Sequence, residues 1–112
     1  MIYENNQRNT QRVAASFPIN LSFGSQITLV GQIKDLSLKS AFINVRSNSI
    51  HMAIHDELTF CITNLPNNIE GSIEGSARIS RIAPGEGIAI FFTKMDESST
   101  NLLQRFIEQS VK

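Results

Sequence analysis

The stretch "IKDLSLKSAFI", from Ile33 to Ile43, decides the fold because a strand, a turn and a second strand follow one another within it. Upstream, Gln26–Lys34 alternates apolar and polar residues, as half-buried β-strands do. Downstream, Ala41–Val45 is short and rich in β-branched residues. The connection, Asp35–Ser40, has Asp and Ser, whose side chains hydrogen-bond the backbone in turns. The stretch therefore predicts paired strands and a mostly β domain.

Similar runs on both sides predict four more strands. They are Val13–Leu21, Glu57–Thr63, Ile69–Ile82 and, after the turn "APGEG", a strand that ends at Phe92. Pro18 suits a sheet edge or a bulge, because proline has no N–H to donate to a ladder. Gly71 and Gly75 lie on the apolar face of their strand and indicate a bend or bulge.

The period changes once, after "MDESST". Helical spacing then relates Leu102, Leu103, Phe106, Ile107 and Val111. Either Asp96 or Ser98 suits the N-cap of this helix. We expect a six-stranded antiparallel β-barrel, residues 13–112, with a C-terminal α-helix that plugs one open end or lies across a face.

Composition and charge exclude several classes of function. Ten basic and ten acidic residues among 112 cancel, so no overall field attracts DNA, RNA or an anionic membrane. No apolar run is long enough to insert into a membrane, and the N-terminus lacks the apolar core of a signal peptide. The single Cys61 has apolar neighbours, which indicates a buried thiol in a reducing compartment. We therefore expect a cytoplasmic protein.

Candidate catalytic and metal-binding residues are few. His51 and His55 lack the glutamate of a zinc-protease helix and precede a strand, so we interpret them as loop or surface residues. Cys61 has no neighbouring His or Lys to activate it. No pair of carboxylates stands out. The sequence therefore predicts no catalytic residues, no metal site, no cofactor and no enzyme.

The N-terminal segment, residues 1–12, contains two arginines, Arg8 and Arg12, in "RNTQR". Their spacing would place them on one helix face, but the segment has weak helix formers and no apolar stripe to hold a helix down. We therefore expect a flexible segment whose arginines contact something outside the chain.

Taken with the turn "DLSLKS", these arginines make the chain resemble the PilZ domain family of bacterial cyclic di-GMP receptors. That family has an RxxxR motif on a flexible N-terminal segment, followed by a D/NxSxxG turn. Here Arg8 and Arg12 match the first motif, and Asp35 and Ser37 match the second, 23 positions after Arg12. Ser40 stands where the family has glycine. The segments "GIAIFF" and "LLQRFI" also resemble the family's penultimate strand and terminal helix.

The resemblance implies a PilZ-type β-barrel that binds cyclic di-GMP and passes a signal to a separate protein partner. It implies that Arg8 and Arg12 clamp the ligand, while Asp35, Ser37 and Ser40 contact it from the barrel surface. Arginine suits this role because it stacks on bases, pairs with guanine O6 and N7, and binds phosphate.

Two alternatives remain open at this point. The first is a degenerate PilZ adaptor that binds proteins but binds nucleotide weakly or not at all, as the resemblance allows. The second is a small barrel for single-stranded nucleic acid, which needs a basic groove and stacking aromatics. The zero net charge disfavours the second alternative.

Overall fold

The computed structural model describes residues 12–24, 27–45, 52–65 and 69–110. They form six strands and one helix: β1 (Val13–Phe23), β2 (Ile27–Leu36), β3 (Ser40–Asn44), β4 (Glu57–Ile62), β5 (Ile73–Ala83), β6 (Gly87–Met95) and α1 (Glu97–Ser110).

The six strands close into an antiparallel barrel. Around the barrel the order is β1-β2-β3-β6-β5-β4, and β4 pairs with β1 to complete the circle. Closure gives each strand two neighbours and so removes the free edges through which open sheets aggregate. The predicted architecture, a six-stranded antiparallel barrel with a C-terminal helix, is confirmed.

Strand alternation builds the core. On β1, for example, Phe17, Ile19 and Leu21 are buried, while Pro18 and Asn20 between them are exposed. Inward side chains from all six strands and three from α1 form one cluster of buried apolar residues. The period of two in the sequence therefore identifies the inner face correctly.

Two irregularities were expected from proline and glycine, and both regions carry bulges. The β1–β2 register shifts between Ala14 and Phe17, immediately before Pro18. The β5–β6 register shifts between Ser76 and Ala77, shortly after Gly75. Strand β5 begins at Ile73, whereas the sequence predicted a start at Ile69.

The helix α1 begins with a side-chain cap from Asp96. The carboxylate oxygen Oδ1 of Asp96 accepts a hydrogen bond from the backbone N–H of Ser99 at 2.7 Å, so Asp96 caps the helix rather than Ser98. The helix packs against β5, and the Phe106 ring meets Phe17 of β1 edge to face, with centroids 5.3 Å apart. The apolar face of α1 thus joins the barrel core.

The prediction that the Cys61 thiol is buried is wrong. The thiol is only half-buried, because Phe60 and Ile62 on either side point inward and alternation turns Cys61 outward. Apolar neighbours one position away in a strand therefore predict the opposite face, not a shared one. Partial burial, followed by the nearby carboxylate of Glu74, raises the pKa of the Cys61 thiol above its ordinary value.

The remaining sequence predictions concern histidine, metals and membranes. His55 is exposed in a turn, with φ at 81°, and His51 lies outside the described residues. In the described ranges, no three His, Cys, Asp or Glu side chains are grouped to hold a metal ion. Within the same ranges, no helix has both the length and the apolar character needed to cross a membrane.

Candidate functional site

The turn between β2 and β3 is organised by Ser37. Its backbone N–H donates to the carbonyl of Ser40 at 2.8 Å. Its hydroxyl oxygen accepts from the backbone N–H groups of Lys39 at 3.2 Å and of Ser40 at 3.1 Å. The residue is only 1% exposed, so its polar atoms serve the turn itself. Ser37 thus fixes the backbone conformation of the turn that carries Lys39 and Ser40.

Asp35 reaches the outer surface of the barrel through a bulge. The β2–β3 register shifts between Ile33 and Asp35, while Ile33 and Leu36 both remain buried. The extra residue leaves Lys34 and Asp35 in succession on the outside. The carboxylate of Asp35, 36% exposed, consequently lies beside the turn.

Arg12 connects the N-terminal segment to this turn. Its Nε donates to Oδ1 of Asp35 at 2.8 Å, and its Nη1 donates to Oγ of Ser40, also at 2.8 Å. The Arg12 side chain is 44% exposed, so the ion pair contributes at most about 1 kcal/mol to stability. These two contacts use only two of the five N–H donors of a guanidinium. The Arg12 guanidinium therefore has N–H donors left to bind a ligand.

The spacing of the two motifs follows from strand pairing. Val13 lies opposite Leu36 and Ala14 lies opposite Asp35 in the β1–β2 ladder. Extending this register by one step places Arg12 opposite Ser37. An antiparallel hairpin of this length therefore brings the second arginine of the first motif onto the turn of the second.

Ser40 adopts ordinary strand geometry. It is the first residue of β3, and its backbone carbonyl accepts from Ser37. His55 is the one non-glycine residue with positive φ among those the structure describes, so the Ser40 backbone is not left-handed. Serine at this position therefore causes no backbone strain of the kind that requires glycine.

The predicted site residues are thus brought together in part. Arg12, Asp35, Ser37 and Ser40 form one connected polar cluster. Arg8 lies outside the described residues, as does the rest of segment 1–11. Ligand contacts by these residues stay a prediction.

The surface beside this cluster has aromatic and basic side chains that belong to neither sequence motif. Phe42 lies opposite Asp35, and Phe91 lies opposite Ser40. The guanidinium carbon of Arg81 lies 5.4 Å from the centroid of the Phe42 ring. Strand alternation is the signal that could have identified them, because Phe42 stands between the inward residues Ala41 and Ile43.

A shallow groove of about 450 Å³ lies elsewhere on the barrel, lined by residues of β1, β4, β5 and β6 and by Asp96. None of the predicted motif residues lines it. Its charged residues are Glu74, Lys94 and Asp96, and Asp96 already caps α1. A groove with two carboxylates and no arginine suits an anionic ligand poorly. We therefore place the candidate site on the motif cluster.

We expect Ser37→Ala to lower both stability and ligand affinity. The substitution leaves the N–H groups of Lys39 and Ser40, which are partly buried, without their acceptor, which costs about 1 kcal/mol of unfolding free energy. Thermal melting measures the first effect and ligand titration the second. Ser80→Ala is the control, because that hydroxyl is on an exposed residue and donates only to a strand carbonyl. Equal effects of the two substitutions would contradict the role of Ser37.

The comparisons with known proteins concern the family and the fold. A family model described as "PilZ domain" matches residues 6–109. No curated protein matches the chain significantly.

Two solved structures are similar in fold. One is the Bacillus subtilis inhibitor of motility, MotI/DgrA, at 15% identity and a TM-score of 0.74. It is matched over 91% of this chain but only 50% of its own length. The other is the PilZ domain of CeSA from a cellulose-synthesizing bacterium, at 20% identity and a TM-score of 0.67. Here the match covers 89% of this chain and 97% of that domain. At these identities the likeness establishes the fold alone.

Proposed function

The chain belongs to the PilZ domain family, whose members are binding and adaptor domains, and from this premise we propose that it is a receptor for cyclic di-GMP. The ligand binds at the polar cluster of Arg12, Asp35, Ser37 and Ser40, and Arg8 closes over it from the N-terminal segment. The occupied domain then passes the signal to a separate protein.

One observation carries the proposal: a guanidinium and a carboxylate lie 2.8 Å apart on an exposed part of the barrel. Guanine presents O6 and N7 as acceptors, which match arginine N–H donors. Its N1–H and N2 amino groups are donors, which match the carboxylate of Asp35. The two side chains together therefore complement both kinds of polar group on the base.

The phosphates of the ligand require positive charge close by. The whole chain has none in excess, so the attraction must be local. Arg12 supplies one guanidinium at the cluster, and Arg8 supplies a second by family resemblance. Guanidinium groups hold phosphate in a bidentate manner, which favours arginine over lysine here.

The proposal also covers partner and location. A domain that binds a second messenger without acting on it needs a protein to receive the signal. MotI/DgrA is described as an inhibitor of motility, which is an output of this kind. We place the receptor in the bacterial cytoplasm, in keeping with its single unpaired cysteine.

Isothermal titration with cyclic di-GMP is the test. We expect a dissociation constant on the order of micromolar, equivalent to about 8 kcal/mol, and no hydrolysis of the ligand. Cyclic di-AMP is the matched control, since adenine has an amino donor where guanine has O6. It should bind at least tenfold more weakly, on the order of one lost polar contact. The absence of binding at millimolar cyclic di-GMP would leave the adaptor function as the better account.

A further inference from the structure

Phe91 lies on the outer surface of the barrel directly beside the candidate site. It is opposite Ser40 in the β3–β6 ladder. Directly opposite residues of an antiparallel pair face the same side, with Cβ atoms about 5 Å apart. Because the Ser40 hydroxyl holds Arg12, the Phe91 ring is adjacent to the Arg12–Asp35 cluster.

The surroundings of Phe91 are polar and basic rather than apolar. Arg78 of β5 lies opposite Phe91, and Glu57 of β4 contacts Arg78 at 3.5 Å. Phe42, on the neighbouring strand β3, lies opposite Asp35. The guanidinium of Arg81 lies over the Phe42 ring. Rings set among guanidinium groups are the arrangement that binds planar, anionic groups such as nucleotides.

Of the two rings, that of Phe91 is the one accessible to a ligand from solvent. Arg81 already covers Phe42, which is partly buried. Phe91 is 48% exposed, and among the described residues it is the one aromatic side chain with such exposure. A ligand in contact with Arg12 and Asp35 therefore has this phenyl face within reach.

We propose that Phe91 is a base-stacking residue of the ligand site, on which a guanine of the bound dinucleotide lies. This inference rests on the proposed function and adds a residue from outside both sequence motifs. A cyclic dinucleotide has two bases attached to one sugar-phosphate macrocycle. When Asp35 and Arg12 hold the polar edge of one base, a flat apolar surface nearby shields a base face from water. The phenyl ring of Phe91 supplies that surface.

The test uses Phe91→Ala and Phe91→Trp in the full chain. We expect Phe91→Ala to weaken cyclic di-GMP binding about tenfold, because stacking of a base on an aromatic ring is lost. Phe91→Trp should keep or tighten binding. The chain contains no other tryptophan, so the indole fluorescence of that variant reports on the position alone. Stacking of guanine should quench it with the same midpoint as the calorimetric titration.

Val30 provides the matched control. It is 64% exposed on β2 and lies opposite Asn20, five residues before Asp35 and therefore about 17 Å away along the strand. Val30→Ala should leave the affinity unchanged, and the fluorescence of Val30→Trp should not respond to ligand.

The outcomes separate the inference from the proposed function. If Arg12→Ala weakens binding about tenfold or more but Phe91→Ala leaves it unchanged and Phe91→Trp is not quenched, the inference is overturned and the proposed function stands. If the unaltered chain does not bind cyclic di-GMP at all, both are overturned.

Discussion

Arg12→Ala is expected to weaken binding of cyclic di-GMP by about tenfold to a hundredfold, because a stacking or bidentate contact contributes about 1–3 kcal/mol. The same change should leave the melting temperature nearly unaltered. The Arg12 side chain is 44% exposed and its ion pair with Asp35 is on the surface, where such pairs stabilise little. Titration calorimetry and thermal melting of the same preparation measure the two quantities.

Two further variants separate this contact from a general effect of charge. Arg12→Lys keeps the charge but loses the planar array of donors, so it should restore affinity only in part. Arg105→Ala, on an exposed position of α1, removes the same charge far along the chain and should hardly change binding. Equal losses of affinity for Arg105→Ala and Arg12→Ala would show that the effect comes from bulk electrostatics. That result would refute the motif assignment.

Arg8 extends the same argument to the residue outside the described ranges. If both arginines hold one ligand, Arg8→Ala should also weaken binding, and the double variant should cost less than the sum of the two single variants. Strict additivity would indicate that the two side chains act independently.

The position of Ser40 gives this site a character of its own. Its hydroxyl accepts from Arg12 at 2.8 Å, a contact that glycine cannot make. Arg12 is therefore anchored twice in the structure, to Asp35 and to Ser40. A ligand that uses Arg12 must either keep these contacts or replace them, so the net gain from each new hydrogen bond is smaller than its gross strength.

The sequence predicts most of the barrel because each strand has one buried face. In β1 from Phe17 onward and in β2 up to Ile33 the inward residues recur at every second position, so strand identity and inner face follow directly from the pattern there. The bulge at Asp35 is not visible in that pattern, since it depends on how β2 pairs with β3. The end of β2 differs for the same reason: the sequence predicts an end at Lys34, whereas the strand continues to Leu36.

The candidate site could be predicted only where a motif marks it. Arg12 and Asp35 are identified by their match to the two motifs of the PilZ family, and the hairpin register explains why motifs 23 positions apart come together. Phe91 has no motif. It is a member of an apolar run, and only the pairing with Ser40 shows that it faces the site. Cys61 was misjudged because its apolar neighbours face the core and it does not.

Phe106→Ala should have the largest effect on stability, a loss of about 3–5 kcal/mol of unfolding free energy. The ring is 3% exposed and packs edge to face on Phe17, so its removal leaves a cavity between α1 and β1. Denaturant unfolding measures the loss, and Phe106→Leu, which fills part of the space, should lose less. Phe91→Ala is the matched control, because it removes the same atoms from an exposed ring and should cost little stability.

Together these variants should show opposite effects on folding and binding. Phe106 lies in the core cluster and makes no part of the Arg12–Asp35 contact, so folded Phe106→Ala or Phe106→Leu should bind cyclic di-GMP with unchanged affinity. Saturating ligand should then raise the melting temperature of the destabilised variant by mass action, whereas it should do so far less for Arg12→Ala. If Phe106→Ala lost no more stability than Phe91→Ala, the helix would not be docked on the barrel as described. If Phe106→Leu stayed folded but lost binding, the site would depend on the helix rather than on the β2–β3 turn.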